Sequence, residues 1–505
     1  MRNLHCEKPM RANPRALVFT VVLALTGYAA FADPTPPEPP PLERPKPPPA
    51  QISSSEGMPP LPYPVVPMKR QEKKNPPQPP VLLTKIRTSD PEDWTRTPND
   101  LKGLLEWMSQ QMGTSFSANV KSYARISLEP DQNPILYRSG YKAFRLTPDQ
   151  VSALRDYLQA GGTIIFNALV GNPDFYKSAV QAAHDIFPDS PSYRLRMDHP
   201  VFHAFYDIDK VAYRDRMVKD GLAGDPYPWI EGVDIDNRTA ILISRWDLSL
   251  GWEANGHDSW GYVNGDALKI GANMMCYATA MREACKSVGQ SVELVNADKQ
   301  TAGKFRVGYV IHDGPWRTRT AAFPMLLNQF HIATGTPVSF ELRDVSLSDG
   351  SIFEMPFLYF TGTTDFSLTD QERANLRKFL MNGGVLFVEA GEGRKSFDTG
   401  FRAEMEKVLP GRPLTSIPAG NALFKQPLEA STVKARPALA AARGNQVEMQ
   451  PELYGIEING SLAVIYTPYD LSAGWEKALA PYALGYQPSD SMALGVNVLY
   501  YAVTH

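Results

Sequence analysis

Cysteine is rare in this chain, and it carries no surplus of basic charge. Its 505 residues include three cysteines, 51 lysines and arginines, and 54 aspartates and glutamates, so the formal net charge is −3. A protein that follows a nucleic-acid backbone relies on a basic surplus, and we therefore expect no nucleic-acid partner. Hydrophobic residues make up 43% of the chain and charged residues 21%, which is typical of globular domains. The length favours two or more of them.

Two of the three cysteines, Cys276 and Cys285, lie nine positions apart. On one unbroken helix nine residues span about 13.5 Å, whereas a disulfide needs Cα atoms about 5.5 Å apart. A bridge therefore requires the helix to end between the two residues. An oxidising compartment favours pairing, and the sequence leaves both outcomes open.

Common catalytic and cofactor motifs are missing as well. The stretch GEGRKS at 391–396 resembles a phosphate-binding loop, but it lacks that motif's spacing between glycines and its Gly-Lys-Ser ending. A nucleophile elbow with its Ser/His/Asp order is not present either. We therefore expect no cofactor, and we identify no Cys or Ser nucleophile.

The N-terminus has the layout of a secretory signal peptide. Two arginines precede an apolar run from Ala16 to about Leu25, and small residues lead to Ala32. This layout predicts a signal peptide over residues 1–32, cleavage after Ala32, and a periplasmic or secreted protein. An uncleaved signal anchor is the alternative, and it is the one route to a membrane that the sequence offers.

A proline-rich stretch and an internal repeat follow the leader. Residues 33–82 are dominated by proline, which predicts a disordered, extended linker of polyproline II type. Beyond it, residues recur at an offset of 222 to 224 positions. The matching pairs include Trp94/Trp316, Tyr137/Tyr359, Gly140/Gly362, Gly161/Gly383, Asp247/Asp470 and Tyr262/Tyr486. The sequence thus predicts two domains of common descent, at 83–286 and 304–505.

The middle of each copy predicts a strand, a helix and a second strand. PILYRSG and PFLYFTG indicate buried strands, as do TIIFNALV and VLFVEA further on. Between them lie helices that begin after Thr147 and Thr369, each with a glutamine or glutamate three residues on that completes a capping box. Such units are right-handed and belong to parallel sheets. We therefore predict an α/β fold with a doubly wound parallel sheet in each copy, which binds ligands beyond the carboxyl ends of its strands.

The phrases GGTIIFNALVGNPDFYKSAVQAAHDIFPD, DHPVFHAFYD and LAVIYTPYDLSAGWE resemble the bacterial domain-of-unknown-function 4159 family. The resemblance covers about 83–283 and 304–505. That family is similar in fold to class I glutamine amidotransferase-like domains, so the resemblance implies two tandem flavodoxin-like domains. The wider superfamily places a nucleophilic cysteine after the strand that follows the Gly-Gly turn, whereas these strands end near Asn167 and Glu389. Amidotransferase chemistry is therefore not implied, and the family brings no established activity.

The most distinctive repeat is WDLSLGWE at 246–253, which returns as YDLSAGWE at 469–476. As a structural corner, the phrase would use its aspartate to accept backbone N–H groups, its glycine to adopt a conformation closed to other residues, and its tryptophan to bury apolar area. As a site, it supplies the candidate catalytic carboxylates Asp247, Glu253, Asp470 and Glu476 and the candidate ligand-binding rings Trp252 and Trp475. We favour the corner.

Two further stretches carry candidate residues. In HDGPWR, which follows a predicted strand, His312 and Arg317 are candidate ligand contacts, and the arginine is placed to hold an anion near a helix start. In DHPVFH, His199 and His203 are four positions apart, as two metal ligands on a helix would be. The second copy has Asn421 in place of the first histidine, and no third ligand is evident. We therefore favour capping and packing roles for these histidines.

Together these features favour a secreted or periplasmic, non-catalytic binding or assembly module of the cell envelope, with an envelope protein or glycan as its partner. The alternative is a carboxylate-dependent hydrolase that acts on envelope carbohydrate or peptide. A regulator of a partner enzyme is a third interpretation. An enzyme requires at least one carboxylate pair open to a cleft, whereas a corner requires its aspartates to be bonded to local backbone.

We expect the exported protein to begin at Asp33, because cleavage after Ala32 removes the apolar run. Mass spectrometry of the protein recovered from its native cell fraction measures the N-terminal residue. The precursor that accumulates when export is blocked shows whether translation begins at Met1 or at Met10. An exported chain that keeps the apolar run would identify the signal anchor instead.

Overall fold

The computed structural model describes residues 80–89, 91–288 and 303–505. The predicted signal peptide and almost all of the predicted linker lie outside the described residues. Within the described ranges the chain forms two α/β domains, each built on one seven-stranded sheet. No helix in these ranges combines the length and the hydropathy that crossing a membrane requires.

The first domain begins at Val81, so it includes the last two residues of the linker predicted over 33–82. Its strands are, in chain order, β1 (Val81–Arg87), β2 (Ser117–Ser122), β3 (Ile135–Gly140), β4 (Thr163–Ala168), β5 (Tyr193–Arg194), β6 (Ile230–Ile235) and β7 (Arg238–Ser244). Its helices are α1 (Pro91–Thr95), α2 (Asp100–Met112), α3 (Pro148–Gln159), α4 (Pro173–Ile186), α5 (Asp215–Lys219), α6 (Ser249–Trp252) and α7 (Asn264–Val288).

The second domain repeats this order with two differences. Its strands are β8 (Val307–Ile311), β9 (Arg343–Ser346), β10 (Phe357–Gly362), β11 (Val385–Ala390), β12 (Thr415–Ser416), β13 (Val433–Lys434), β14 (Glu448–Met449), β15 (Tyr454–Ile458) and β16 (Ser461–Thr467). Its helices are α8 (Ala322–Thr334), α9 (Asp370–Met381), α10 (Lys395–Val408), α11 (Pro437–Ala442), α12 (Ser472–Trp475) and α13 (Pro488–Thr504). It adds the strand pair β13 and β14 and has no counterpart of α1.

Each sheet is mixed rather than wholly parallel. The order is β2-β1-β3-β4-β7-β6-β5 in the first sheet and β9-β8-β10-β11-β16-β15-β12 in the second. The first five strands of each order are parallel, and the last two are antiparallel to their neighbours. This edge was not predicted, because β6 and β15 mix buried residues with partly or fully exposed ones and form no continuous apolar run.

Helices cover both faces of each sheet. In the first domain, α2 and α7 pack on one face around Leu104 and Met274, while α3 and α4 pack on the other around Leu154 and Phe175. The second domain uses α8 and α13 on one face and α9 and α10 on the other. The carboxyl ends of the parallel strands therefore meet at one edge of each sheet.

The predicted central elements are confirmed. PILYRSG and TIIFNALV contain β3 and β4, and PFLYFTG and VLFVEA contain β10 and β11. Both capping boxes form: Thr147 Oγ1 accepts from the N–H of Gln150 at 3.3 Å, and Thr369 Oγ1 accepts from the N–H of Glu372 at 3.3 Å. Each N3 side chain bonds back to the N–H of its threonine, at 3.0 and 2.7 Å.

The cysteine pair that the sequence left open does not form a disulfide. Helix α7 runs without a break through Cys276 and Cys285, and both thiols are free. The rise along the helix keeps the two residues too far apart for a bridge. Burial raises the pKa of the Cys276 thiol to about 12, so this group behaves as a core side chain.

The first domain packs against the carboxyl edge of the second sheet. Hydrogen bonds and ion pairs join Asp198 to Ser396 at 2.8 Å, Arg196 to Asp365 at 2.8 Å and Asp236 to Thr320 at 3.2 Å. The three partners in the second domain follow the carboxyl ends of β11, β10 and β8. The edge where ligands bind in such sheets is therefore partly enclosed by the other domain.

Replacing Thr369 by alanine is expected to lower the free energy of unfolding of the second domain by about 1 kcal/mol, because α9 loses the side-chain acceptor in its first turn. Thermal unfolding followed by circular dichroism measures the change. The variant T369S keeps the hydroxyl and is expected to unfold as the wild type does. Equal stability of T369A and the wild type would contradict a capping role.

Candidate functional site

The aspartate of the first repeated phrase joins two turns at the carboxyl edge of the sheet. Asp247 follows β7, and its Oδ1 accepts from the N–H of Ser249 at 2.7 Å. Its Oδ2 accepts from the N–H of Val170 at 2.7 Å. Val170 lies in the turn after β4, in a left-handed conformation with φ of 53°. We call this bridging carboxylate, with the two turns that it joins, the aspartate clamp.

The second domain has the same aspartate clamp. Asp470 Oδ1 accepts from the N–H of Ala473 at 2.7 Å, and its Oδ2 accepts from the N–H of Glu392 at 3.0 Å. Glu392 is left-handed like its counterpart, with φ of 54°. Asp247 is 1% exposed and Asp470 is 0% exposed. Both carboxylates are buried and bonded to backbone, which supports the corner interpretation of the repeated phrase.

The tryptophans of the two phrases are core side chains. Trp252 is 2% exposed and Trp475 is 0% exposed. Their Nε1 atoms donate to the carbonyls of Ala267 and Ser491, at 2.8 and 2.9 Å. Because the rings are enclosed and their N–H groups are used, neither ring offers a face to a ligand in this conformation.

The glycines of the phrases serve packing and not an unusual backbone conformation, which corrects the expectation from sequence. Gly251 and Gly474 are not among the residues with positive φ. A Cβ at Gly251 would lie 2.3 Å from Ala267 Cβ, and one at Gly474 would lie 2.3 Å from Ser491 Cβ. The short helices α6 and α12 therefore lie directly on the long helices that follow them.

The glutamates of the phrases do not form open acid pairs with the aspartates. Glu253 Oε1 accepts from the N–H of Asn99, before α2, at 2.9 Å. Glu476 Oε2 accepts from Arg319 at 3.4 Å, and the same guanidinium donates to Asp470 Oδ2 at 3.3 Å. The two acids of the second phrase thus share one buried arginine. Burial raises the pKa of Glu476.

A buried charged cluster, which was not predicted from the sequence, surrounds Arg319. We call it the carboxylate cluster, and its members are Glu389, Glu392, Asp470, Glu476, Arg319 and Arg394. Glu389 closes β11 and accepts from the N–H of Leu471 at 2.7 Å. Arg394 donates to Glu392 at 2.8 Å and to the carbonyl of Asp198 in the first domain at 2.9 Å. The first copy has Asn167 and Val170 in place of the two glutamates, and this difference between the copies is the signal that could have found the cluster.

One carboxyl of the cluster titrates near neutral pH. Burial and the nearby charge of Asp470 raise the pKa of Glu389 to about 7. Burial alone would also raise the pKa of Asp470, but Arg319 and the N–H of Ala473 lower it. Of the two carboxyl groups, Glu389 is therefore the one that is protonated first as the pH falls. The first domain has the neutral Asn167 at the position of Glu389, and this residue accepts from the N–H of Leu248 at 2.9 Å. The position therefore accommodates a neutral side chain.

A cleft of about 1140 Å³ lies between the two domains. The second domain lines it with residues 313–317 after β8 and with Thr364 and Asp365 after β10. The first domain contributes residues around β5 and the end of β6. Because the chain passes from β9 on one side of β8 to β10 on the other, these loops flank the switch point of the second sheet. Ligands of doubly wound sheets bind at such points.

The sheets, the clamps and the corners all occur twice. A family described as Domain of unknown function (DUF4159) matches residues 82–279 and residues 306–503. The chain belongs to this family. The two matches coincide with the two domains, so the internal repeat is a pair of DUF4159 domains. No curated protein matches the sequence.

The candidate metal ligands His199 and His203, in the first DUF4159 domain, do not lie on one face of a helix. The spacing that suggested a metal pair is therefore not realised as helical geometry. A short 3₁₀ helix covers Pro200–Phe202, so His203 lies beyond its end. His199 Nδ1 accepts a backbone N–H at 3.1 Å, and Asn421 caps the corresponding turn of the second DUF4159 domain in the same way. Among the described residues, no group of three or more His, Cys, Asp or Glu side chains is arranged so that it could hold a metal ion.

His312, at the end of β8 in the second DUF4159 domain, shapes the loop that follows. It is 8% exposed, its Nδ1 accepts from the N–H of Gly314 at 3.0 Å, and its Nε2 donates to the carbonyl of Thr361 at 2.9 Å. Burial lowers the pKa of the ring to about 4. The histidine therefore fixes the loop that lines the cleft, but it does not line the cleft itself.

Arg317 lines the cleft but already has a partner. Its guanidinium lies 4.7 Å from the centroid of the Trp316 ring and pairs with Asp344. Helix α8 begins at Ala322, so the arginine does not stand at the first turn of that helix. The expected anion site at a helix start is therefore not formed by Arg317.

Replacing Glu389 by glutamine is expected to change how stability depends on pH. The ordinary pKa of this carboxyl is 4.5, and its folded-state pKa is about 7. Between these values the folded state binds more protons than the unfolded state, so the wild type loses stability as the pH rises from about 4.5 to about 7. E389Q preserves the neutral state and removes this slope. Urea unfolding at pH 5 and pH 8 should find the variant more stable than the wild type at pH 8, by roughly 2–3 kcal/mol.

Asp470→Asn is the matched control in the same cluster. It removes a charge from the residue that is ionised, and it leaves Arg319 buried with less compensation. We therefore expect a loss of about 3 kcal/mol or more at both pH values. Destabilisation of E389Q at pH 8 would show that folding does not raise the pKa of Glu389.

Proposed function

We propose that the protein is a non-catalytic binding module of the cell envelope, and that its ligand binds in the cleft between the two domains. The observation that carries this proposal is the position of the cleft. It lies at the switch point of the second sheet and is enclosed by the first domain on its other side. Ligand sites of α/β proteins favour both switch points and domain interfaces.

We further infer that each domain has the flavodoxin-like fold of glutamine amidotransferase-like proteins. The parallel strands of the first sheet have the order β2-β1-β3-β4-β7, and those of the second have the order β9-β8-β10-β11-β16. Numbered within each domain, both correspond to the flavodoxin-like order 2-1-3-4-5. This agreement supports the inference, and the antiparallel edge is an addition to that fold.

The lining of the cleft is polar, aromatic and held in place. The hydroxyl of Tyr193 donates to Asp234 at 2.6 Å, and Arg194 forms two bonds of 2.9 Å with Asp225. Side chains that are fixed before the ligand arrives lose less entropy on binding. The volume of about 1140 Å³ exceeds the range of about 300–1000 Å³ that is usual for small-molecule pockets. Both features favour an extended polar ligand such as an envelope glycan.

The predicted leader is the basis for placing the protein outside the cytoplasm. A signal peptide over 1–32 would direct export, and the proline-rich stretch over 33–82 would separate the domains from a membrane or wall. Both stretches lie outside the described residues. We propose a periplasmic or secreted location.

A carboxylate-dependent hydrolase is the less supported alternative. Such an enzyme needs carboxyl groups that exchange protons with a substrate. Asp247 and Asp470 are instead bonded to backbone N–H groups, and Glu476 is bonded to a buried arginine. These bonds favour binding over catalysis at this edge of the sheet.

Titration of the mature protein with soluble peptidoglycan fragments, followed by calorimetry, tests the proposal. We expect saturable binding, and we expect Trp316→Ala to weaken it at least tenfold because that ring forms part of the cleft wall. Trp94→Ala is the matched control, because Trp94 occupies the same position in the first domain. It should bind as the wild type does.

Two results would count against the proposal. Equal affinity of W316A and the wild type, in a variant whose circular dichroism is unchanged, would remove the cleft as the binding site. Release of shortened glycan or peptide during the titration would identify the hydrolase instead. The same samples, analysed by mass spectrometry after the titration, measure that release.

A further inference from the structure

Comparison of the two domains separates what the fold requires from what it does not. The aspartate, glycine and tryptophan of the repeated phrase occur in both domains and form the same bonds in both. A group of large side chains beside the first phrase does not recur. Tyr176, Trp229, Arg245 and Trp246 stand where the second domain has Asp398, Glu452, Pro468 and Tyr469.

The correspondence between these positions rests on equivalent hydrogen bonds. The N–H of Trp229 donates to the hydroxyl of Tyr262 at 2.9 Å, and the N–H of Glu452 donates to the hydroxyl of Tyr486 at 2.8 Å. The two backbones therefore match where the side chains differ. Because the second domain adopts the same fold without this aromatic group, the fold does not require it.

The aromatic group surrounds one guanidinium. The terminal carbon of Arg245 lies 4.5 Å from the centroid of the Trp229 ring, 4.8 Å from that of Trp246 and 5.2 Å from that of Tyr176. We call these four residues the arginine cage. Such contacts contribute about 0.5–1 kcal/mol each at exposed sites. Contact with three rings restricts the movement of the guanidinium.

Arg245 has no acidic partner among the residues that the structure describes. It forms no ion pair there, and its side chain donates no hydrogen bond to them. Two other arginines that stack on tryptophan differ in this respect: Arg194 pairs with Asp225, and Arg317 pairs with Asp344.

The acid beside the cage is Glu231, which is bonded to two of the rings and forms no ion pair with Arg245. Glu231 accepts from the Nε1 of Trp229 at 3.3 Å and from the hydroxyl of Tyr176. Arg245 itself is half-buried. The cage therefore holds a half-buried guanidinium whose N–H groups form no ion pair among the described residues.

The arginine cage lies at the edge of the first sheet where ligands bind. Arg245 directly follows β7, Trp229 directly precedes β6, and Tyr176 is near the start of α4, which follows β4. A guanidinium offers a planar fork of N–H donors that matches a carboxylate or a phosphate group in two parallel bonds. Tryptophan and tyrosine rings beside such a fork provide apolar contact for the rest of a ligand.

We propose that the arginine cage is an anion-binding site of the first domain, and that its ligand is a saccharide that carries a carboxylate or phosphate group. The guanidinium of Arg245 binds the anion, and the partly exposed rings of Tyr176 and Trp229 contact the sugar. The site is distinct from the cleft between the domains and does not depend on the function proposed for that cleft.

Intrinsic tryptophan fluorescence of the two-domain protein tests this proposal. The probes are glucuronate for the carboxylate and glucose 6-phosphate for the phosphate, with glucose as the neutral control. We expect at least one anionic probe to bind saturably and glucose to cause no saturable change. R245Q should weaken the binding at least tenfold. R245K, which keeps the charge but lacks the planar fork, should weaken it several-fold.

Two control variants keep the result specific. R317Q alters a tryptophan-stacked arginine of the second domain whose charge is already paired with Asp344, and it should leave anion affinity unchanged. W316A alters the cleft, and it should also leave anion affinity unchanged even where it abolishes binding of peptidoglycan fragments. The site and the proposed function of the cleft can therefore fail separately.

Binding of glucuronate alone identifies a carboxylate ligand, and binding of glucose 6-phosphate alone identifies a phosphate ligand. The proposal is overturned if neither anion binds, if glucose binds as well as they do, or if R245Q retains the wild-type affinity. Unfolding temperatures verify that each variant is folded. Should R245Q fail to fold, the affinity of R245K decides, and a wild-type value in that variant overturns the proposal.

Discussion

A single buried carboxylate in each domain determines the shape of the sheet edge at which ligands bind. A charged group in the protein interior is costly unless it is fully hydrogen-bonded, and Asp247 and Asp470 meet this requirement through backbone N–H groups from two separate turns. The same bonds hold Val170 and Glu392 in a left-handed conformation that non-glycine residues rarely adopt. The short helix after each aspartate, the tryptophan beneath it and the loops around it all depend on this clamp.

Features of the fold that are encoded locally could be predicted from the sequence. The apolar runs that became β3, β4, β10 and β11 lie next to residues that start or end helices, and the capping boxes at Thr147 and Thr369 need only four consecutive residues each. The antiparallel edges could not be predicted in this way. A strand such as β6, whose side chains are only partly buried, leaves no distinctive pattern in the chain.

The candidate sites were harder to predict because their chemistry depends on distant residues. Arg319 and Asp470 are 151 positions apart, and nothing near either residue indicates that they form a buried pair. The repeated phrase could be recognised, but a clamp aspartate and a catalytic aspartate look the same in sequence, and burial distinguishes them. Glu389 is recognised as unusual only when it is compared with Asn167, its counterpart in the first domain.

The two copies have kept the same backbone while their charged side chains have changed. In the second domain, acids and arginines fill the strand ends and contact the first domain. In the first domain, the corresponding edge carries aromatic rings around Arg245. Residues that both copies retain describe how the fold is built, and residues that only one copy has are the better guide to what each domain binds.

The interface between the domains also limits how the chain can associate. The domains meet through unlike faces, since the side of the first sheet near β5 contacts the strand ends of the second. Repeated from one molecule to the next, such a contact would produce an open-ended fibre. The second domain, however, has Gly420 where the first has Asp198, and the first has Asn172 where the second has Arg394. Each copy therefore lacks the side chain that the other contributes to this contact, so the pairing seen within one chain cannot be repeated with the same side chains between chains.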